Sequence, residues 1–185
     1  IGGGGDDGGA EENTVLLGKI SEDRTLKAEY TYKLSGIVYV VDGATLTIEP
    51  GTVIQGEKGA TSRGTLVITA GSRIIADGTK DNPIVFTSDQ ANKQRGDWGG
   101  VVILGNAPTN ATLNGVVGRG SVEGGVNNAE GLGEYGGTIV DDNSGVLRYV
   151  RIEYAGYAYL PDNELNGLTL AGVGNGTTVD YVEVY

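Results

Sequence analysis

The chain contains neither cysteine nor histidine among its 185 residues. Without cysteine it has no disulfide framework and no thiolate metal site. Without histidine it lacks imidazole metal ligands, the base of Ser-His-Asp and Cys-His catalysis, and the usual general base near neutral pH. These absences exclude several common classes of enzyme and leave carboxylates and tyrosines as the side chains to consider for chemistry and binding.

Long apolar runs and clustered basic residues are also absent. No apolar run approaches the roughly 20 residues needed to span a bilayer, so no membrane helix is predicted. The net charge is −11, and the 13 Lys and Arg residues are scattered along the sequence. Because nucleic-acid binding requires clustered basic side chains, nucleic acid is not an expected partner.

Glycine is abundant, with 34 of 185 residues, whereas the usual share is about 7%. There is no Gly-X-Y period and only four prolines occur, which excludes a collagen-like chain. Valine, isoleucine and leucine remain plentiful between the glycines. This composition predicts many short strands joined by tight turns, in a chain long enough for one domain with its own core.

An internal echo indicates how the strands are arranged. Residues 45–54 (TLTIEPGTVI) are matched by residues 65–74 (TLVITAGSRI) at an offset of 20. A direct repeat favours a parallel stack over antiparallel hairpins, with equivalent side chains about 4.8 Å apart. This interpretation stacks Leu46 on Leu66 inside a solenoid. The predicted fold class is therefore all-β, a parallel β-helix.

Composition also suggests the organisation of the chain. Residues 1–13 are rich in glycine and acidic side chains and are predicted to form a flexible tether. Residues 14–185 are predicted to form the β-helix domain, which would begin with an N-terminal cap over the exposed core. Residues 105–145, rich in Gly and Asn, are predicted to be a loop insertion between coils.

A second echo joins residues 147–154 to a segment 32 residues later. In this register Arg151 would lie outward over Glu183, as an exposed cross-strand ion pair, and Glu153 would lie over Tyr185. No capping sequence follows this strand. The β-helix domain is therefore expected to be truncated at its C-terminal edge.

The only tryptophan, Trp98, follows Gly96 and Asp97 and precedes an apolar run. A tryptophan in a loop would suit a ligand platform. The adjoining run favours a packed corner in which Trp98 is partly buried.

Three stretches of the sequence, residues 34–54, 96–100 and 147–154, resemble a family of secreted or surface right-handed parallel β-helix proteins of Bacteroidota, among them lipoproteins. Residues 2–7 are similar to the tether that follows the lipidated cysteine in that family. The resemblance implies a right-handed β-helix, extracellular or on the outer-membrane cell surface, and held to the membrane only by an N-terminal lipid anchor. The partners it implies are an outer-membrane protein complex or a surface polysaccharide.

The acidic residues provide one candidate for metal binding. Glycoside hydrolysis needs two carboxylates about 5–9.5 Å apart, whereas Asp141 and Asp142 would point to opposite faces of a strand. In a loop they could converge with Asn143 on Ca²⁺, although the EF-hand spacing is absent. Residues 162–164, after Pro161, are interpreted as a solvated turn.

Four tyrosines near the C-terminus are candidates for ligand binding. Tyrosines beside acidic groups can stack on sugars or anchor a partner. Inward ladders or corner packing would use the same side chains, and packing is the favoured interpretation. The four residues are Tyr149, Tyr154, Tyr157 and Tyr159.

Three function classes follow from these observations. The favoured hypothesis is a noncatalytic cell-surface β-helix module for binding, adhesion or envelope structure, without a cofactor other than the Ca²⁺ considered above. The first alternative is an accessory lipoprotein subunit of an outer-membrane complex. The second is a polysaccharide lyase or hydrolase of the β-helix type.

Overall fold

The computed structural model describes residues 12–60, 63–160 and 163–185. In these ranges the chain forms β-strands and turns without a helix, and hence without a helix that could cross a membrane. In chain order the strands are β1 (Val15–Ile20), β2 (Arg24–Leu26), β3 (Thr31–Val40), β4 (Thr45–Ile48), β5 (Val53–Gly56), β6 (Thr65–Ile68), β7 (Arg73–Asp77), β8 (Ile84–Ser88), β9 (Gly100–Leu104), β10 (Thr112–Leu113), β11 (Val116–Val117), β12 (Gly120–Ser121), β13 (Glu134–Tyr135), β14 (Gly145–Ile152), β15 (Ala158–Leu160), β16 (Asn163–Glu164), β17 (Leu168–Ala171) and β18 (Thr178–Val184).

Twelve of these strands pair in one sheet that winds into a three-faced solenoid. The first face stacks β2, β4, β7 and the first halves of β14 and β18. The second stacks the first halves of β1 and β3, then β5, β8 and the second halves of β14 and β18. The third stacks the second halves of β1 and β3, then β6, β9 and β17. All these pairs are parallel, and the fold is the predicted right-handed parallel β-helix.

The stacking predicted from the first echo is wrong. Leu46 of β4 pairs with Ile74 on the first face, an offset of 28 rather than 20. Leu66 of β6 lies on the third face, between Val38 and Val101. The two echoing segments turn different corners: one passes from the first face to the second, the other from the third to the first. They look alike because each is a strand, a glycine turn and another strand.

The interior of the solenoid is one apolar core, as the alternation of side chains predicts. Inward residues lie at every second position of a strand and are buried, while their neighbours face outward. Leu46, Ile48, Leu66 and Ile68 all belong to this core. Their predicted burial is therefore confirmed, although they do not form the predicted ladders.

Ile48 allows a test of the core assignment. Replacing Ile48 by valine removes one buried methyl group, so we expect the free energy of unfolding to fall by about 0.5–1.5 kcal/mol. The matched control is Ile139→Val. Because Ile139 is 50% exposed, this substitution should lower the free energy of unfolding only slightly. Chemical denaturation measures both values, and equal losses at the two positions would show that the core is misassigned.

Trp98 is completely buried at the corner between β8 and β9, so its predicted partial burial was wrong. Its ring stacks on Phe86, with centroids 6.4 Å apart, and its indole N–H donates to the Glu153 carbonyl oxygen at 2.8 Å. The ring fits there because Gly56 has no side chain, and a Cβ on Gly56 would lie 2.5 Å from it. The packed corner is confirmed, and a buried ring cannot be a ligand platform.

The insertion predicted at residues 105–145 leaves the solenoid after β9 and returns at β14, carrying β10 to β13. It covers the outer side of the third face through a second apolar cluster. The buried members of this cluster are Tyr39, Val41, Val67, Val102, Leu104, Val126, Leu165 and Ala171. The Tyr39 hydroxyl also donates to the Val126 carbonyl oxygen at 2.7 Å. Strands β6 and β9 are therefore buried on both sides, which explains their continuous apolar sequences.

At the N-terminal end, β1 and β2 form the first coil, where the cap was predicted. The predicted tether, residues 1–13, lies outside the described residues except for its last two. The Glu12 carboxylate accepts a hydrogen bond from the Tyr32 hydroxyl at 3.2 Å. The Asn13 side chain accepts one from the Val15 N–H at 3.1 Å. Glu12 thus contacts the second coil, and Asn13 contacts the first.

Candidate functional site

The four candidate tyrosines do not form one group. Tyr149 lies at the corner between the two halves of β14, and its ring stacks on that of Tyr181 with centroids 4.5 Å apart. Both residues have positive φ, 48° and 51° respectively, which allows a sharp corner within each strand. Since Tyr181 is largely exposed, this ladder lies outside the solenoid, whereas the packing interpretation included an inward ladder.

Tyr157 and Tyr159 line a cavity of about 150 Å³ between the start of the third face and the insertion, here called the arginine–tyrosine cavity. The Arg63 guanidinium lies 4.6 Å from the centroid of the Tyr157 ring. Tyr159 packs beside Gly125, where a Cβ would lie 3.2 Å from the ring. The residues around the cavity are Ile37, Arg63, Thr65, Gly124, Gly125, Tyr157, Tyr159 and Leu165.

Backbone contacts hold the walls of this cavity in place. The Leu165 N–H donates to the Tyr157 carbonyl oxygen at 2.9 Å, and the Gly124 N–H donates to the Asn163 side-chain oxygen. Gly124 has φ of +72°, and a Cβ there would lie 2.4 Å from the Leu165 side chain. Glycine is thus required at position 124 both by the backbone conformation and by the close approach of Leu165.

The electrostatics of the arginine–tyrosine cavity differ from those of the whole chain. The chain carries a net charge of −11, but none of the described residues that line the cavity is a carboxylate. Arg63 lies against the Tyr157 ring, a cation–π contact worth about 0.5–2 kcal/mol. A guanidinium fork binds carboxylate or sulfate oxygens, and the tyrosine rings offer flat surfaces for a sugar ring.

Tyr154 lies in a second, larger cavity of about 630 Å³, here called the lysine–arginine cavity. Tyr154 and Tyr185 meet edge to face, with centroids 6.0 Å apart. The Tyr185 hydroxyl donates a hydrogen bond to the Glu153 carboxylate, and this bond raises the pKa of Tyr185. The lining residues are Lys93, Gln94, Arg95, Tyr154, Gly156, Glu164, Leu165, Asn166, Gly167, Val184 and Tyr185.

The family model described as a pectate-lyase-like β-helix domain matches residues 18–185. The chain belongs to this family. Neither a curated protein nor a solved structure matches the chain. The family assignment agrees with the parallel three-faced solenoid, and both polysaccharide-cleaving enzymes and noncatalytic modules are compatible with a pectate-lyase-like β-helix domain.

The pectate-lyase-like domain also contains a buried carboxylate on its second face. Glu153 accepts hydrogen bonds from the Thr87 and Tyr185 hydroxyls, each at 2.9 Å. The predicted position of Glu153 beside Tyr185 is thus confirmed, as is the pairing of Arg151 with Glu183 in register. The Arg151 guanidinium, however, lies 3.6 Å from Glu153 and not on Glu183 as predicted.

A second buried carboxylate, Asp97, was not foreseen as part of an ion pair. One of its oxygens accepts a hydrogen bond from the Lys58 ammonium at 2.6 Å. The other accepts from the Ser88 hydroxyl at 2.7 Å and the Gln94 N–H at 2.8 Å. Burial raises the pKa of Asp97, but the hydrogen bonds from Lys58, Gln94 and Ser88 outweigh it and leave the pKa below its ordinary value.

The residues considered for Ca²⁺ binding lie in the turn before β14. Asp141 is exposed, whereas Asp142 is largely buried and accepts a hydrogen bond from the Ser144 hydroxyl at 3.0 Å. The Asn143 side-chain oxygen accepts one from the Gly145 N–H at 3.0 Å. Within the described parts of the chain, no three His, Cys, Asp or Glu residues are grouped so that they could hold a metal. Calcium binding at Asp141, Asp142 and Asn143 stays a prediction.

The solvated turn predicted at residues 162–164 falls partly outside the described residues. Asn163 and Glu164 form β16, which pairs with β15 in a short antiparallel hairpin. Glu164 is exposed at the rim of the lysine–arginine cavity. No sequence pattern marks Arg63, Lys93 and Arg95 as neighbours of a cavity, because they are isolated basic residues in glycine-rich or polar loops.

Proposed function

We propose that this chain is a noncatalytic β-helix module that binds a saccharide in the arginine–tyrosine cavity. The observation that carries the proposal is the Arg63 guanidinium 4.6 Å from the Tyr157 ring, in a cavity whose described lining residues include no carboxylate. Stacking rings and a fork of N–H donors are sufficient for binding a sugar. Hydrolysis of a glycosidic bond would additionally require two carboxylates flanking the bond.

Arg63 favours a saccharide with a carboxylate or sulfate group. A net charge of −11 repels a long anionic polymer at low salt. The Arg63 guanidinium is the only charged group among the described residues that line the cavity. It can attract an anionic group there, and charge-assisted hydrogen bonds are about twice as strong as neutral ones. Binding should therefore depend on Arg63 more than on the overall charge of the domain.

We place this module at the outer-membrane cell surface or outside the cell. Two observations support this location: the resemblance of residues 34–54 to surface β-helix proteins of Bacteroidota and the glycine-rich, acidic composition of residues 1–13. An N-terminal lipid would tether the domain, leaving the solenoid free to meet a surface polysaccharide. The accessory-subunit alternative requires, in addition, that the natural protein copurifies with an outer-membrane complex.

A polysaccharide lyase or hydrolase is the second candidate function. The buried carboxylates of Asp97 and Glu153, together with membership of a pectate-lyase-like family, favour it. Against it, both oxygens of Asp97 and both oxygens of Glu153 already accept hydrogen bonds from protein groups. A general acid or base must reach the substrate proton directly or through one water, so these two groups would first have to break those bonds.

The Arg63→Gln variant tests the binding proposal. We expect its affinity for an acidic oligosaccharide to fall by roughly ten- to a hundredfold, because the charged hydrogen bonds to the ligand are lost. Isothermal titration calorimetry with oligogalacturonates and with neutral cello-oligosaccharides measures the effect. The matched control is Arg73→Gln, since Arg73 is exposed on the first face and lines neither cavity.

Two outcomes would contradict the proposed function. Equal losses in Arg63→Gln and Arg73→Gln would mean that the cavity is not the binding site. Release of reducing ends or unsaturated products from acidic or neutral polysaccharides would show catalysis. That release should also disappear in a Glu153→Gln or Asp97→Asn variant that circular dichroism shows to be folded, since otherwise unfolding or a contaminating enzyme would explain the result.

A further inference from the structure

We propose that a third cavity, between the insertion and the turns that follow β3, β6 and β9, binds an alkylammonium group through Asp42. This cavity has a volume of about 360 Å³ and is here called the aspartate–arginine cavity. Among the described residues it shares no lining residue with the arginine–tyrosine cavity. An alkylammonium site here is therefore independent of saccharide binding in the first cavity.

The solenoid forms one wall of the cavity from turns on three successive coils. Residues 41–44 form the turn after β3, in which the N–H of the last residue donates to the carbonyl oxygen of the first at 3.0 Å. Its central residues, Asp42 and Gly43, have positive φ of 58° and 78°, as a type I′ turn requires. Thr69 and Asn106 line the cavity from the turns of the next two coils.

The insertion forms the opposite wall. Arg119 directly precedes β12, and Glu134 lies on the paired strand β13. The Arg119 guanidinium donates to the Glu134 carboxylate at 3.3 Å and to the Gly136 carbonyl oxygen at 3.0 Å. The Gly136 N–H in turn donates to the Gly105 carbonyl oxygen at 2.8 Å. Backbone hydrogen bonds therefore hold this wall against the coil that contains β9.

The charges around the aspartate–arginine cavity favour a cation. Arg119 and Glu134 compensate each other in an ion pair, whereas none of the ion pairs among the described residues includes Asp42. Two carboxylates and one guanidinium give the described lining a net charge of −1. The whole chain has a net charge of −11, so its field also attracts a positively charged ligand.

The lining favours an organic ammonium over a metal ion. Ca²⁺ takes about six to eight oxygen ligands, but no three acidic side chains of the described chain are grouped to hold a metal. An ammonium has three N–H donors, which the Asp42 carboxylate and the Asn106 side-chain oxygen can accept. The side chains of Ala70 and Leu132 also line the cavity and suit the methylene groups of an alkyl chain.

A free diamine and a lysine side chain of another protein both carry an alkylammonium group. Putrescine and Nα-acetyl-lysine methylamide are the corresponding probes. In NMR titrations of the full chain at millimolar concentration, we expect them to shift the amide resonances of Gly43 and Leu132, one on each wall. Tetramethylammonium has no N–H group and should bind at least about tenfold more weakly. Binding of putrescine alone would identify a free diamine as the ligand, and binding of both probes would show that a lysine side chain is sufficient.

Asp42→Asn tests the role of the carboxylate. It removes the charge and keeps the turn, because Asn-Gly suits the same type I′ conformation as Asp-Gly. We expect the affinity for the amines to fall by roughly ten- to a hundredfold. The matched control is Asp81→Asn, which removes the same charge from an exposed residue that does not line the cavity. Its affinity should stay close to that of the wild type.

Arg119→Gln tests the sign of the charge effect. It removes the positive charge from the insertion wall, and glutamine can still donate to the Gly136 carbonyl oxygen. The affinity for the amines should therefore rise by about twofold or more, and it should fall again as salt is added. Circular dichroism checks that each variant is folded. If Asp42→Asn does not fold, the direction of the change in Arg119→Gln decides the proposal.

Four results would overturn the alkylammonium site. The first is the absence of shifts at Gly43 and Leu132 with either amine. The second is an equal loss in Asp42→Asn and Asp81→Asn, which would indicate an effect of net charge alone. The third is weaker amine binding in Arg119→Gln. The fourth is binding of tetramethylammonium or Ca²⁺ at the same amides as tightly as the amines. None of these results bears on the saccharide titrations of Arg63→Gln, so the two proposals fail separately.

Discussion

Replacing Trp98 by alanine is expected to lower the free energy of unfolding by about 3–5 kcal/mol. The ring is completely buried, stacks on Phe86, and donates its N–H to the Glu153 carbonyl oxygen. Alanine would leave a cavity between β8 and β9 and an unpaired carbonyl group. Urea denaturation followed by circular dichroism measures the loss.

Trp98→Phe is the matched variant, because it keeps an aromatic ring against Phe86 but removes the indole N–H. Its loss should be smaller than that of Trp98→Ala, since part of the buried area remains. If Trp98→Ala costs less than about 1 kcal/mol, Trp98 is not part of the core. If the two variants are equally destabilised, the hydrogen bond to Glu153 would be the main contribution and the packing argument would be wrong.

Replacing Asp97 by asparagine is expected to lower the free energy of unfolding by about 3 kcal/mol at neutral pH. The change removes the charge that pairs with Lys58 at 2.6 Å and turns one acceptor of this fully buried side chain into a donor. That donor would meet Lys58, or else Ser88 and Gln94, which already donate. The matched control is Asp77→Asn, because Asp77 forms an exposed ion pair with Arg148 at 3.0 Å, and such pairs are worth about 1 kcal/mol or less.

The contribution of the Asp97 carboxylate to the free energy of unfolding should depend on pH. Because the folded-state pKa of Asp97 lies below its ordinary value, which is about 3.9, ionised Asp97 stabilises the fold above that pH. This stabilisation is lost as pH falls through the folded-state pKa. The difference in the free energy of unfolding between the wild type and Asp97→Asn should therefore be constant near neutral pH. It should become smaller below about pH 4. A difference that widens on acidification would contradict the assignment.

The fold class could be predicted from the sequence because its determinants are local. Glycine at 34 of 185 positions, apolar runs of strand length and period-two alternation specify short strands and tight turns. The second echo even predicted a register correctly, since Val150 pairs with Val182 and Ile152 with Val184 at the expected offset of 32. This succeeded because the two strands belong to consecutive coils and turn the same corner.

The first echo could be recognised because two corners of the solenoid share one sequence pattern. The same similarity led to a wrong register, because the two corners are different ones. The two echoing corners share a pattern of an inward-facing strand, a turn with positive φ and another strand. Gly51 and Gly71 both have positive φ, 88° and 93°, although they turn different corners. Alternation shows that Leu46 and Leu66 point inward, but the interior is common to all three faces. The sequence pattern therefore does not identify the face on which a strand lies.

The candidate site depends on contacts that no local pattern encodes. Arg63 and Tyr157 meet because one lies in the loop before β6 and the other follows β14, and the coils bring these loops to the same corner. Gly124 of the insertion then covers Leu165. The insertion and its approximate limits were predictable from composition. The face on which it packs was not, because loop length leaves its direction open.

The sequence by itself thus determined the short strands and tight turns, the parallel solenoid and the inward-facing residues. These features follow from turn residues and from alternation within about ten positions. The tertiary structure decided which coils adjoin, which face the insertion covers, and that Lys58 meets Asp97 and Arg63 meets Tyr157. These contacts join residues on different coils, separated by loops of unequal length. Their partners are set by the three-dimensional path of the chain, which the spacing of residues along it does not reveal.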